Sequence, residues 1–247
     1  MRIHESRREF LRLSTGAGLL LAGCSTGRRP EAESQAKPSK TGGEEKGGEV
    51  TATEDLMREH GVLRRALLVY SEVAPGLRSK FAGIPPSALA KTANLFRVFG
   101  EEYHEKMLEE AYIFPAVKQS GGPAASLADI LISQHQRGRE ITDYILALTR
   151  GEKLDAGKAE ALALSLDAFV LMYRNHAARE DTIVFPAWKQ TLTAQQLDEM
   201  GDTFEEIERR QFGADGYEDA VRQIGEIESS LGLSDLSRFT APPPPKV

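Results

Sequence analysis

The sequence predicts an all-α fold, an up-down-up-down four-helix bundle with additional C-terminal helices, on three observations. Apolar residues recur at helical spacing from about residue 53 to residue 190, and Gly and Pro clusters interrupt them where helices would turn. Four histidines, His60, His104, His135 and His176, fall one to each periodic segment, while the fifth, His4, lies near the N-terminus. The pattern also repeats. Leu56, His60 and Arg64 recur 75 positions on as Leu131, His135 and Arg139, and Ile113-Phe114-Pro115-Ala116 recurs 71 positions on as Val184-Phe185-Pro186-Ala187. Two helical hairpins, each carrying two histidines, are expected to face one another.

The first helix is expected over about 53–80, with Thr53 as its N-cap and Leu56, Leu63, Leu67 and Tyr70 on the buried stripe; Pro75 would kink it or end it early. Pro85-Pro86-Ser87 opens the second, over about 85–119, since proline suits a first helical turn. Gly121-Gly122-Pro123 makes the next break. The third helix spans about 123–150, closed by Gly151, and the fourth about 156–190. Connections this short favour antiparallel neighbours. Shorter helices over about 193–212 and 217–231 and the Pro242 to Pro245 tail read as appendages.

With 247 residues, 40% hydrophobic and 28% charged, the chain can bury one sizeable core plus extensions. A net charge of -6, with no concentrated Lys/Arg surface in the folded region, argues against nucleic acid as a partner. Ser6-Arg7-Arg8-Glu9-Phe10-Leu11 precedes a short apolar stretch ending in Leu21-Ala22-Gly23-Cys24, too short to span a bilayer. It resembles a twin-arginine export signal joined to a bacterial lipoprotein cleavage site, which implies cutting before Cys24 and lipid attachment there. Cys24 is the only cysteine, so no disulfide forms within one chain. The expected organisation is a signal at 1–23, a flexible linker at 24–50 rich in Ser, Gly, Pro, Glu and Lys, a bundle at 51–192 and an extension with a Pro-rich tail at 193–247. The protein would then sit outside the cytoplasm, anchored to a membrane by its N-terminal lipid.

Bundle interiors build metal sites from inward side chains on facing helices, and neutral imidazoles with carboxylates suit iron, manganese or zinc. His176 and Glu180, four apart, lie only about 40° off one helical face. By register with the Phe-Pro pairs the equivalent of Glu180 is Glu109, since each precedes its Phe by five. Glu109 is also five after His104, about 140° off in a regular helix, whereas the fourth position is Leu108. A local π-bulge would restore the geometry. Asp181, five after His176, rivals Glu180 for the same reason. Two carboxylates can each bridge two cations and offset their repulsion, and iron is the metal expected, ahead of manganese or zinc. Arg64 and Arg139 read as exposed positions or as partners of the ligands. No nucleophile triad, Gly-rich phosphate loop or zinc-thiolate spacing is present.

Several segments carry a resemblance: Glu59-His60-Gly61; Tyr103-His104-Glu105-Lys106 with Glu109-Glu110 before Ile113-Phe114-Pro115; His135; and His176-Ala177-Ala178-Arg179-Glu180-Asp181 before Phe185-Pro186. Over about 53–190 the chain resembles the hemerythrin, or HHE cation-binding, family. The resemblance implies a non-haem centre of two iron ions, with His60, His104, His135 and His176 as ligands and Glu109 and Glu180 as bridging carboxylates. Glu105 matches a further carboxylate ligand of an iron-sensing F-box relative. Oxygen-carrying members place a second histidine four residues after the first on the third helix. Here that residue is Arg139, which cannot bind a metal. The functions that follow are a binding protein for oxygen, nitric oxide, peroxide or another small oxidant, used in sensing, storage or delivery; an enzyme that oxidises ferrous iron or removes peroxide or nitric oxide; or an iron-holding structural bundle. The first is favoured.

Overall fold

Proline and glycine divide the chain where the sequence places them. The computed structural model describes residues 50–79, 83–151, 153–213 and 215–245; the expected signal, Cys24 and the linker up to residue 49 lie outside the described residues. Among the described residues the regular structure is all helical. The first rod is α1 (Ala52–Ser79). The second joins α2 (Pro86–Leu95), a π-helical segment (Phe96–Ile113) and α3 (Phe114–Ser120). The third is α4 (Gly122–Leu148). The fourth joins α5 (Ala159–Arg179), a short π-helical segment (Glu180–Val184) and α6 (Phe185–Gln190). Then come α7 (Ala194–Phe212) and α8 (Gly216–Ser230). The rods form the expected four-helix bundle, α1 packing most extensively on α5.

Two details differ from expectation. Thr51, not Thr53, caps α1: its hydroxyl accepts from the Glu54 amide at 3.3 Å while the Glu54 carboxylate accepts from the Thr51 amide at 2.8 Å. This reciprocal box satisfies two orphan donors, and Thr53 is buried instead. Nor does Pro75 end α1, which runs on to Ser79. Gly121 and Gly122, with φ of 77° and 78°, turn the chain between the second and third rods in a conformation that side chains with a Cβ rarely adopt.

The bundle has an aromatic half and a polar half. In the first, Phe96 and Phe169 meet edge to face with centroids 4.9 Å apart, flanked by Tyr70 and Tyr173. In the second, Phe185 stacks on His60 and Phe114 on His135, at 5.3 and 5.5 Å. The C-terminal helices are no appendages. Phe212 of α7 packs on Phe99 and Tyr103, Phe204 stacks on Trp188 at 5.7 Å, and α8 ties back to α1 through Arg65 and Glu228. Burying aromatic area of roughly 150–250 Å² per ring makes these contacts part of the core. Among the described residues no helix is long and apolar enough to cross a membrane.

Candidate metal centre

Proline shapes both carboxylate-bearing turns. Its ring clashes with the carbonyl four residues back, so the chain before Pro115 and before Pro186 opens to the wider π turn. The Phe114 amide accordingly donates to the Glu109 carbonyl and the Phe185 amide to the Glu180 carbonyl, each five residues back. The same wide turns run through His104, so Glu109 comes beneath it rather than about 140° away, and His104 Nε2 lies 3.3 Å from Glu109 Oε1. The widened segment runs from Phe96 to Ile113, longer than a single bulge.

The four imidazoles converge with their Nε2 edges inward, all fully buried or nearly so. Glu109 and Glu180 lie between them. Glu109 presents Oε1 to His104 and, at 4.0 Å, to His60, while its Oε2 is 3.3 Å from His135 Nε2. Glu180 presents Oε1 to His176 at 2.9 Å and Oε2 to His60 at 3.5 Å. Three groups among the described residues could hold a metal: His60, His104 and Glu109; His135, His176, Glu109 and Glu180; and, at the outer edge of His135, Glu105 and Glu110 with that histidine. A cavity of about 10 Å³ adjoins them, walled by Leu63, Leu67, Phe96, Tyr173 and Ala177.

Each Nδ1 is held from outside, which fixes the ring and aims Nε2 at the centre. Asp181 holds His60 at 2.7 Å and Glu110 holds His135 at 2.9 Å; Arg64 pairs with that Asp181, and Arg139 with that Glu110 at 2.5 Å. Glu59 holds His104 at 2.6 Å and Gln134 holds His176 at 3.0 Å. Asp181, read from sequence as a rival ligand, therefore faces the outer edge of His60. Glu59, Glu110 and Gln134 were not read as partners. The internal repeat held the signal, because Glu110 and Asp181 follow the two central glutamates while Glu59 and Gln134 precede equivalent histidines. Glu105 stands apart from the groups centred on Glu109 and Glu180. Its Oε1 accepts from the Tyr173 hydroxyl at 2.7 Å and its Oε2 from Arg139 at 3.2 Å, with His135 Nδ1 at 3.9 Å.

Electrostatics follow from burial opposed by pairing. Burial alone would lower the histidines, yet the surrounding carboxylates win. Glu109 and Glu59 hold His104 well above its ordinary value, and Glu105, Glu109 and Glu110 push His135 up to about 10. Burial would raise Glu109, but His104 and His135 hold it well below the usual carboxylate range. Farther along the second rod Glu101, also buried, is pushed up to about 7 by burial against a Thr142 hydrogen bond.

Comparison with known proteins agrees with this geometry. The family model of the Hemerythrin HHE cation binding domain matches residues 51–188. An uncharacterized protein of Mycobacterium tuberculosis and another of Mycobacterium bovis are each 41% identical over 236 residues, covering 95% of this chain and 90% of the relative. No solved structure matches.

Proposed function

Because the chain belongs to the hemerythrin HHE cation-binding family, we propose that it holds two iron ions and binds oxygen or another small oxidant such as nitric oxide or peroxide, for sensing, storage or delivery in the cell envelope. The observation carrying this reading is a buried cluster of imidazoles and carboxylates that have only one another as counter-charges. His104 Nε2 and both oxygens of Glu109 and of Glu180 make no well-formed hydrogen bond, although burying such groups unsatisfied costs several kcal/mol, of order 2–7 each for a neutral one. Cations between them would satisfy all five. His60 and His104 would hold one ion and His135 and His176 the other, with Glu109 and Glu180 as the carboxylates between them. Mixed nitrogen and oxygen donors without sulfur favour iron here over softer thiolate-bound metals.

Bound iron would supply a redox-active Lewis acid able to take a small ligand. The residues do the rest. Asp181, Glu59, Glu110 and Gln134 hold the imidazole tautomers; Leu63, Leu67, Phe96 and Ala177 exclude bulk water and limit the ligand to a few atoms. Glu105 keeps the Tyr173 hydroxyl on the cavity wall, and with Glu110 and His135 it forms a further group that could hold a metal. Export by Arg7 and Arg8 and lipidation of Cys24 rest on the sequence alone, and would tether the bundle to the outer side of a membrane.

Metal analysis of natively isolated protein should find two irons per chain, and the reduced protein should develop an absorption band on oxygen exposure that reverses when oxygen is removed. Turnover without a stable adduct would make it an oxidoreductase. One zinc, or no metal with the ligands intact, would reject the centre.

A further inference from the structure

The two hairpins build their halves of the centre from the same parts, and the outer hydrogen bonds match too, with one exception. His60 and His135 are each held by an acidic residue that is itself held by an arginine, Asp181 with Arg64 and Glu110 with Arg139. Their partners in each half, His104 and His176, are held by the residue preceding the first histidine of the same hairpin. That residue is Glu59 in one case and Gln134 in the other. Glu59 is buried, 1% exposed, and its second oxygen accepts from the Tyr103 hydroxyl at 3.0 Å, so its carboxylate is fixed in place.

Resting on the two-ion reading above, we propose that Glu59 and Gln134 make the two metal positions unequal. The His60/His104 position is the holding position and the His135/His176 position is the exchangeable one. A carboxylate accepting from Nδ1–H pulls that proton away and enriches Nε2 in electron density, and its negative charge offsets the charge of the ion; an amide carbonyl does the first weakly and the second not at all. Changes to such outer partners alter metal affinity by about 10- to 100-fold. Two other carboxylates lie nearer the exchangeable position: Glu180, 2.9 Å from His176 Nε2 against 3.5 Å from His60 Nε2, and Glu105, 3.9 Å from His135 Nδ1 with its oxygens held by Tyr173 and Arg139. Neither accepts a hydrogen bond from an Nδ1, so the outer contrast is that of Glu59 with Gln134.

The test is ferrous iron release from the full-length, anaerobically loaded protein into excess ferrous chelator, followed by absorbance. Wild type should release its two ions in two phases of equal amplitude, with rates about 10- to 100-fold apart. Gln134→Glu should slow the fast phase toward the slow one, and Glu59→Gln should speed the slow phase toward the fast. His135→Ala should remove the fast phase and His60→Ala the slow one, which assigns the phases independently of the outer residues. A single phase in wild type, or two phases unmoved by both Gln134→Glu and Glu59→Gln, overturns the proposal, as does His135→Ala abolishing the slow phase. Should Glu59→Gln fold poorly, Gln134→Glu decides alone, since it adds a charge at a half-buried position and truncates nothing. Failure of the small-oxidant reading would look different, as two-phase release with no response of the spectrum to oxygen or nitric oxide.

Discussion

Tyr173 lies across Gly138 so closely that a Cβ at Gly138 would overlap the tyrosine hydroxyl and its ring carbons. Glycine on α4 is therefore what lets a tyrosine on α5 reach Glu105, whose carboxylate accepts its hydroxyl at 2.7 Å. Since the glycine sits inside a helix, where it costs roughly 0.5–1 kcal/mol relative to alanine, space is the reason for it.

Gly138→Ala should thus destabilise the protein despite its better helix propensity, by about 1–3 kcal/mol from overpacking. In a Tyr173→Ala background the same change should be neutral or slightly stabilising. Denaturant melts of the two single variants and the double variant form the cycle that checks this. An equal cost of Gly138→Ala in both backgrounds would remove Tyr173 from the argument.

A second prediction follows a chain of contacts from the C-terminal helices to the centre. Phe212 packs edge to face on Tyr103 at 5.3 Å, Tyr103 donates to Glu59, and Glu59 holds His104. Phe212→Ala should cost about 2–4 kcal/mol of stability by opening a cavity, and should also quicken iron loss from the His60/His104 side. Chelator release measured beside thermal melts separates the two effects. A destabilised variant with unchanged release would mean that Phe212 supports the fold without positioning Tyr103.

The four rods were legible because punctuation and period agree: Gly121-Gly122-Pro123 and the Pro-rich second start are strong local signals, and the Phe-Pro repeat gave Glu109 its register. The π turn at Glu109 could be argued from the five-residue spacing of His104 and Glu109, which a regular helix would put on different faces. The outer partners were less legible. Glu59, Glu110 and Gln134 are ordinary helix-surface types; the internal repeat marks their positions, and the neighbouring rod shows which histidine each one holds. Pairings between residues far apart in sequence, such as Asp181 with His60 at 2.7 Å, arise from rod packing, which periodicity does not encode. The same cause hides the role of the C-terminal helices, whose packing on Trp188, Phe99 and Tyr103 only the rods reveal.

The carboxylates make the third prediction. If Glu109 and Glu180 each serve both ions, Glu109→Gln or Glu180→Gln should lower iron content at both positions. Asp181→Asn, which keeps a carbonyl acceptor for His60 Nδ1 but loses the ion pair with Arg64, should weaken one position only, by about 10-fold or more. Iron per chain after dialysis against chelator reads this directly. Two ions lost in Asp181→Asn and none in Glu180→Gln would exchange their roles.

The last prediction sets the metal-free and metal-loaded proteins on opposite pH slopes. Without metal, Asp181 and Glu180 raise His60 against the effect of burial, Glu109 and Glu59 raise His104, and His135 is pushed up to about 10. A raised folded value means that the stability gained is complete below the ordinary histidine value of 6.5 and is lost as pH climbs through the folded value. Glu109 is depressed against burial by His104 and His135, and Glu180 against burial and the charge of Glu109 by His176 and His60, so their share is complete above the ordinary value of 4.5 and is lost on acidification through the folded value. For Glu109 with His104 and His135, and Glu180 with His60, these are the same ion pairs seen from two sides, and together they put the greatest stability of the metal-free chain between those two ordinary values. Its melting temperature should fall from mildly acidic pH toward pH 10, by several degrees. Iron reverses the slope. Each Nε2 must lose its proton before it can donate to an ion, so binding releases protons and strengthens as pH rises. The difference in melting temperature between loaded and metal-free protein should therefore widen steadily from about pH 6 to pH 9, since metal stabilisation grows with affinity. Calorimetric scans of both forms across that range make the comparison. A metal-free protein whose melting temperature rises over the same range would mean that its buried histidines are neutral and that no imidazolium–carboxylate pairs stand in for the ions.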